Sequence, residues 1–336
     1  MPVGTMRSGG RDGTLAVVTP AGDRALFKPG GIPTLQAAVD EWQSSAPVLQ
    51  SCYKQLIADE EIGQAVRWED FHSPLPAAYE WSEASAYLGH MERIRRTRGI
   101  DLPTDYRSEP IVYQAGAGRL RAPFDAIPLP DPSWCLDLEA TVAVITDDVP
   151  IGTGADAAAE HVLFVVLTND LTYRALMGRE LTKAIGPYQA KPARAFAPMA
   201  VSPQELGDLW DGRILRATVK CWVNGELLGA LPADRDYGFD FGDVLAHMTR
   251  TRGLRAGSIV GLGTVSSRDE SNGFGCLAEK RALETMVEGQ PSTPWLTYGD
   301  TVKIEAFNRQ GTSIFGPIQE QVVRPGGPAG GPGQHR

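Results

Sequence analysis

The chain contains no apolar run near the roughly 20 residues a membrane-spanning helix needs. Its opening segment, MPVGTMRSGGRDG, lacks the apolar centre of a secretory leader. Membrane insertion and secretion are therefore not expected, and a cytoplasmic location is. Cysteine is scarce: Cys52, Cys135, Cys221 and Cys276 are the only four, and no two form a CxxC pair. That excludes a paired-ligand zinc cluster and favours reduced thiols that pack as ordinary small residues. The five histidines, His72, His90, His161, His247 and His335, are scattered too, with no HExxH motif. Positive charge is also short, with 32 Lys and Arg against 41 Asp and Glu and a net charge of −9. Such a mean field repels nucleic acid and anionic membrane, so neither is an expected partner. No repeat of solenoid or propeller period is visible.

What is present is an ordinary globular chain of 336 residues, 42% apolar and 22% charged. Residues 1–76 read as a small N-terminal α/β subdomain. Thr14–Val18 and Ala25–Phe27 form a hairpin split by Pro20, Gly22 and Asp23. A helix then carries Leu35, Ala38, Val39 and Trp42 on one face. Residues 71–76, FHSPLP, make an extended connector. Ser82–Thr97 reads as a helix capped by Ser82 and ended by Gly99, and 112–132, rich in Pro and Gly, as a long loop. Beyond it strands dominate. Leu136–Ile145 and Val162–Leu167 are apolar runs, and Asn224-Gly225 is a strong hairpin turn. Ser202-Pro-Gln-Glu205 is a capping box, and Phe241–Arg252 a helix closed by Gly253. Thr301–Phe307 and Ser313–Ile318 flank a glycine turn. The fold class expected is α+β and β-rich, with a mixed or antiparallel sheet. The Gly- and Pro-rich tail, 324–336, is expected to be disordered.

One strand has unusual chemistry. Asp137, Glu139 and Thr141 alternate along an apolar run and so share a face, and Asn169-Asp170 follows some thirty residues on. Oxygen side chains on an apolar strand are costly unless compensated. A hard divalent cation drawing carboxylates from neighbouring strands is one compensator; a structural hydrogen-bond network near a strand end is the other.

In order and spacing, several segments resemble the fumarylacetoacetate hydrolase family over nearly all of 77–321. They are the acidic strand LDLEATVAVI at 136–145, Thr168-Asn-Asp170, the lysine segment GPYQAK at 186–191, LRAGSIVGLGT at 254–264, GFGCLAE at 273–279 and YGDTVKIE at 298–305. The N-terminal zone is similar to that of the longer bacterial members. The resemblance implies a mixed β-roll or β-sandwich catalytic domain over 77–323, with a lid at 82–99, in a homodimer. It also implies Mg²⁺ or Mn²⁺ and a small 2-oxo or 1,3-dioxo carboxylic acid as substrate. Carried over, Glu139 and Asp170 are metal ligands and Lys191 stabilises an enolate or oxyanion. Gly263 and Thr264 hold a substrate carboxylate, and Tyr113 and Arg174 are substrate contacts. His90 is the general base, oriented by Glu279 or Glu92. A metal-assisted C–C hydrolase follows.

Two departures qualify the match. The family's Glu-x-Glu reads Glu139-Ala-Thr141 here, so a carboxylate has become a hydroxyl, and Thr141 is at best a weak ligand. The stretch after Asp170 keeps Arg174 but holds Ala175 and Met177 in place of Asp and Gln. The first change keeps a second reading open, a metal-weak or metal-free decarboxylase, isomerase, dehydratase or cyclase. A third is a non-catalytic binding protein. Arg93, Arg95, Arg96 and Arg98 read as a solvated helix face rather than substrate steering.

Overall fold

The computed structural model describes residues 1–326 except 98, 116, 117, 119 and 185. Two apolar strands set the architecture. Ala140–Thr146 (taken below as β6) and Val162–Asn169 (β7) pair antiparallel, from Ala140 opposite Asn169 to Thr146 opposite Val162. Every residue of both is buried. Along β6, Val142 and Val144 enter one apolar cluster while Ala143 and Ile145 enter another. On β7, Val165 and Leu167 face one side and Phe164 and Val166 the other. A strand apolar on both faces must be covered on both, and each buried Val, Ile or Phe side chain adds roughly 1.5–3 kcal/mol.

The other strands of three or more residues are β1 Pro2–Met6, β2 Thr14–Val18, β3 Arg24–Phe27, β4 Trp81–Ala84, β5 Val112–Gln114, β8 Met199–Val201, β9 Thr218–Val223, β10 Glu226–Pro232, β11 Ile259–Thr264, β12 Thr301–Phe307 and β13 Ile318–Val323. The large sheet runs β3-β2-β1-β8-β7-β6-β11-β4-β5, extended beyond β3 by Gln64–Ala65. All its pairs are antiparallel except β11 with β4. A second sheet runs β10-β9-β12-β13 and ends on Ile127–Pro128. Its Val219, Ile304 and Ile318 join the cluster of Val142 and Val165. The other face is covered by α1 Leu35–Asp40 and α2 Trp42–Ala58 through Leu35, Leu49 and Leu56. Further helices are α3 Leu88–Thr97, α4 Arg174–Leu181, α5 Phe241–Met248 and α6 Leu277–Glu288. The architecture is α+β, as expected. Among the described residues no helix is long and apolar enough to cross a membrane.

The expected boundary at residue 76 is bridged by backbone pairing, because β1 bonds to β8 as well as to β2. The β2–β3 hairpin forms, and Thr34 caps α1 by accepting from the Ala37 amide. Asn224 (φ 52°) and Gly225 (φ 80°) make the tight β9–β10 turn. Several boundaries differ from the sequence reading. Ser82 is not a helix cap, because 81–84 is strand β4 and the helix begins at Leu88. Trp81 explains this: its ring stacks edge-on against Phe196 at 5.3 Å and lies over Gly261, where a Cβ would come within 2.6 Å of it. Tertiary packing overrides local helix preference here. The 112–132 loop contains β5 and Ile127–Pro128. Leu136–Ile145 is two strands, since the Glu139 amide donates to the Asn169 side chain. Ser202 gives no side-chain cap, and α5 stops at Met248 with the Thr249 hydroxyl folded back on the Leu245 carbonyl. The last hairpin partner is Ile318–Val323 rather than Ser313–Ile318. Residues 327–336 of the expected tail lie outside the described residues.

Candidate active site

The strand register brings the acidic residues together. Where the β6–β7 ladder ends, the Asp170 amide donates to the Glu139 carbonyl at 2.9 Å, so the two carboxylates leave the sheet side by side. The parallel β4–β11 pairing sets Glu83 opposite Gly261 and supplies a third. One oxygen each from Glu83, Glu139 and Asp170 lies within 4.8 Å of the others, and all three residues are buried. The Lys191 ammonium sits among them, 2.6 Å from Asp170, 2.8 Å from Glu139 and 3.6 Å from Glu83. Arg194 reaches Asp170 at 2.9 Å, and Arg174 bridges Glu139 at 2.6 Å and Asp137 at 2.7 Å.

These charges sort the protonation states. Burial alone would raise Asp170, but the Lys191 and Arg194 charges outweigh it and hold its carboxyl below the usual range. Glu139 is likewise lowered, with burial opposed by Lys191 and Arg174. Glu83 goes the other way: burial, reinforced by the Asp170 charge, pushes it well above the carboxylate range. Lys191 is raised despite burial, because three carboxylates surround it. Tyr113 donates its hydroxyl to Asp170 Oδ2 at 2.6 Å and also contacts Glu83.

The opposite wall is α3. His90 Nδ1 lies 3.3 Å from Glu279 Oε1, which accepts from Ser266 at 2.6 Å and pairs with Arg93 at 3.2 Å. Burial would raise Glu279, but the hydrogen bond to His90 and the His90 charge lower it. Between the walls is a cavity of about 830 Å³ lined by Glu83, His90, Tyr113, Glu139, Arg174, Lys191, Gly263 and Thr264, with Met91, Ile94, Ile111, Met177 and Leu181 as apolar panels. Gly263 has φ 91°, and a Cβ there would stand 2.3 Å from the Ala84 carbonyl, so glycine is required.

The structure thus brings His90, Glu279, Lys191, Tyr113, Arg174, Gly263, Thr264, Glu139 and Asp170 to one site. It does not bring Glu92 there: that carboxylate faces Tyr106, Arg107 and Arg268 on the outer side of α3. Thr141, expected as a weak ligand, instead donates its hydroxyl to Glu83 Oε1 at 2.9 Å. Asp137 caps α6, accepting from the Leu277 and Ala278 amides. Arg93 is no solvated residue; it is 11% exposed and held by Glu279. Glu83 and Arg194 were missed.

A sequence profile described as the fumarylacetoacetate (FAA) hydrolase C-terminal domain matches residues 58–323. The chain belongs to the fumarylacetoacetate hydrolase family. A second profile, fumarylacetoacetase N-terminal domain 2, matches 1–77. No curated protein matches the chain. Among solved structures, fumarylacetoacetate hydrolase from psychrophilic Exiguobacterium antarcticum is similar at 18% identity and TM-score 0.66, over 96% of this chain and 99% of that one. Maleylpyruvate hydrolase from Sphingobium sp. SYK-6, in complex with manganese(II) ion and pyruvate, is similar at 15% identity and TM-score 0.64, over 96% and 99%. A 5-carboxymethyl-2-hydroxymuconate delta-isomerase from Mycobacterium smegmatis is similar at 17% identity and TM-score 0.60, over 97% and 100%. At these identities the family fold is shared while the reactions named differ, so the family assignment supports an enzyme without choosing its reaction.

The donor set suits a hard divalent cation. Glu83, Glu139 and Asp170 offer hard oxygens from three strands, the ligand type Mg²⁺ and Mn²⁺ prefer. With a hydroxyl at 141, the three carboxyl groups that meet are those of Glu139 and Asp170 and, from β4, Glu83.

Proposed function

We propose that this family member hydrolyses a C–C bond of a 2-oxo or 1,3-dioxo acid, with His90 as general base and with the help of a divalent cation. The carrying observation is that His90, backed by the buried Glu279, lines one cavity with Lys191, Glu83 and Glu139. Glu83, Glu139 and Asp170 would hold Mg²⁺ or Mn²⁺, whose contribution is to draw electron density from a chelated 2-oxo group. His90 takes a proton from water as the oxygen attacks the distal carbonyl carbon, and Glu279 orients the ring and stabilises the imidazolium. As the C–C bond breaks, its electron pair passes to the departing 2-oxo acid fragment as an enolate. Lys191 meets that charge. The proton held by His90 then returns to the enolate carbon. Gly263 and Thr264 bind the substrate carboxylate, and the apolar panels receive its carbon chain.

The test is a panel of 2,4-dioxo acids assayed with and without Mg²⁺. Turnover that needs Mg²⁺ and is lost in His90→Ala supports the reading; decarboxylation or isomerisation without cleavage overturns it. A second reading has its own observation. The Lys191 ammonium already contacts the oxygens of Asp170 and Glu139 that a dication would use. This favours a metal-weak or metal-free decarboxylase, isomerase, dehydratase or cyclase, and equal turnover in chelator would select it. If no acid of the panel is turned over or bound, a non-catalytic role follows.

A further inference from the structure

Next to the all-oxygen trio lies a group of different chemistry. Cys276 precedes α6 and makes no capping hydrogen bond with its side chain. Its buried Sγ is 4.0 Å from His90 Nδ1, which is 3.3 Å from Glu279 Oε1. One ligand atom from each of the three residues lies within 4.8 Å of the others. A tetrahedral zinc ion, about 2.3 Å from sulfur and about 2.0–2.1 Å from nitrogen or oxygen, spaces its ligands about 3.3–3.6 Å apart. The 3.3 Å and 4.0 Å separations lie within about half an ångström of that spacing, and the third pair is held within 4.8 Å.

A second observation points to a ligand here. Glu279 Oε1 is occupied by Ser266 and Arg93, but Oε2 is buried with no hydrogen-bond partner, and the residue is 0% exposed. A bare carboxylate oxygen in the interior is costly, and a cation answers it. His90 is 18% exposed on the cavity wall, which provides an entry path.

We propose that His90, Cys276 and Glu279 form a zinc site separate from the Glu83–Glu139–Asp170 trio, and that zinc bound there silences His90. Thiolate and imidazole select Zn²⁺ over Mg²⁺, so the two sites divide cations by hardness. The thiol, held well above its ordinary pKa by burial and then by the Asp137 and Glu279 charges, gives its proton to solvent as it ligates. The thiolate so formed offsets the Arg93 charge on the Oε1 side of Glu279. An imidazole that ligates through Nδ1 keeps its proton on Nε2 and has no free lone pair for water. The inhibition rests on His90 being the proposed base; the binding does not.

The test uses the full chain with Mg²⁺ in excess, titrated with Co²⁺ and then Zn²⁺. Expected are a thiolate-to-cobalt charge-transfer band saturating at one equivalent, its displacement by Zn²⁺, and inhibition of turnover with the same midpoint. In Cys276→Ser the band should vanish and Zn²⁺ affinity fall at least about 100-fold, with activity in the absence of zinc unchanged. Should serine impair folding, judged by melting, His90→Asn is the second arm and should also lose tight Zn²⁺ binding by calorimetry. No band in the native protein, or a band that survives Cys276→Ser, overturns the site. Inhibition that survives Cys276→Ser while the band is lost places the inhibiting zinc on the carboxylate trio and overturns the silencing of His90. A protein that binds cobalt as expected but cleaves no dioxo acid leaves the site standing and removes the proposed function instead.

Discussion

The two walls of the cavity are built by different means. On the strand wall each charge has a fixed counter-charge: Glu139 and Asp170 hold Lys191, Arg174 and Arg194, and backbone register sets their spacing. On the α3 wall a single imidazole faces one buried carboxylate, next to a thiol and an arginine. The strand wall is suited to holding charge still, and the helix wall to moving a proton. Buried ion pairs resist change because removing one partner strands the other, whereas a singly supported histidine changes state at little structural cost.

The comparison breaks most sharply at His90. Replacement by Ala should lower kcat by about 10²–10⁴-fold, with little change in melting temperature. Steady-state kinetics beside a thermal melt checks both halves, and a parallel loss of folding would contradict the contrast. Lys191→Met should lower turnover too, but on the strand wall it should also cost stability. It leaves the trio without its ammonium and should cost about 3–5 kcal/mol in denaturant unfolding, recovered in part by Mg²⁺. In the native protein, Mg²⁺ at a hundred times its dissociation constant should stabilise the fold by about 2.7 kcal/mol. Glu83→Gln should remove most of that increment, and differential scanning calorimetry with and without the ion reads it. The smallest effect belongs outside the cavity. Glu92→Ala breaks exposed pairs to Arg107 and Arg268 and should change stability by less than about 1 kcal/mol, leaving kcat within a few-fold.

Glu139 and Asp170 were legible because acidic residues interrupting apolar, period-2 runs are conspicuous. Their meeting point follows from antiparallel pairing of those runs. His90, Glu279 and Lys191 carry no local signal and became candidates only through resemblance to a family. Glu83 was hidden because WSEASA reads as the start of a helix, and its partner strand lies some 175 residues downstream. Between Glu279 and Glu92 the sequence offered no choice. Helix rotation decided it, turning Glu92 to the outer arginines and Arg93 inward to Glu279.

Composition and periodicity by themselves determined a β-rich chain with two apolar strand runs and carboxylates beside them, since burial and alternation act over a few residues. Only the tertiary structure decided that Glu83 would join Glu139 and Asp170, that Lys191 would lie among the three, and that Cys276 would approach His90. Those contacts join segments far apart in the chain, and their electrostatic consequences arise from low-dielectric burial that no single segment encodes.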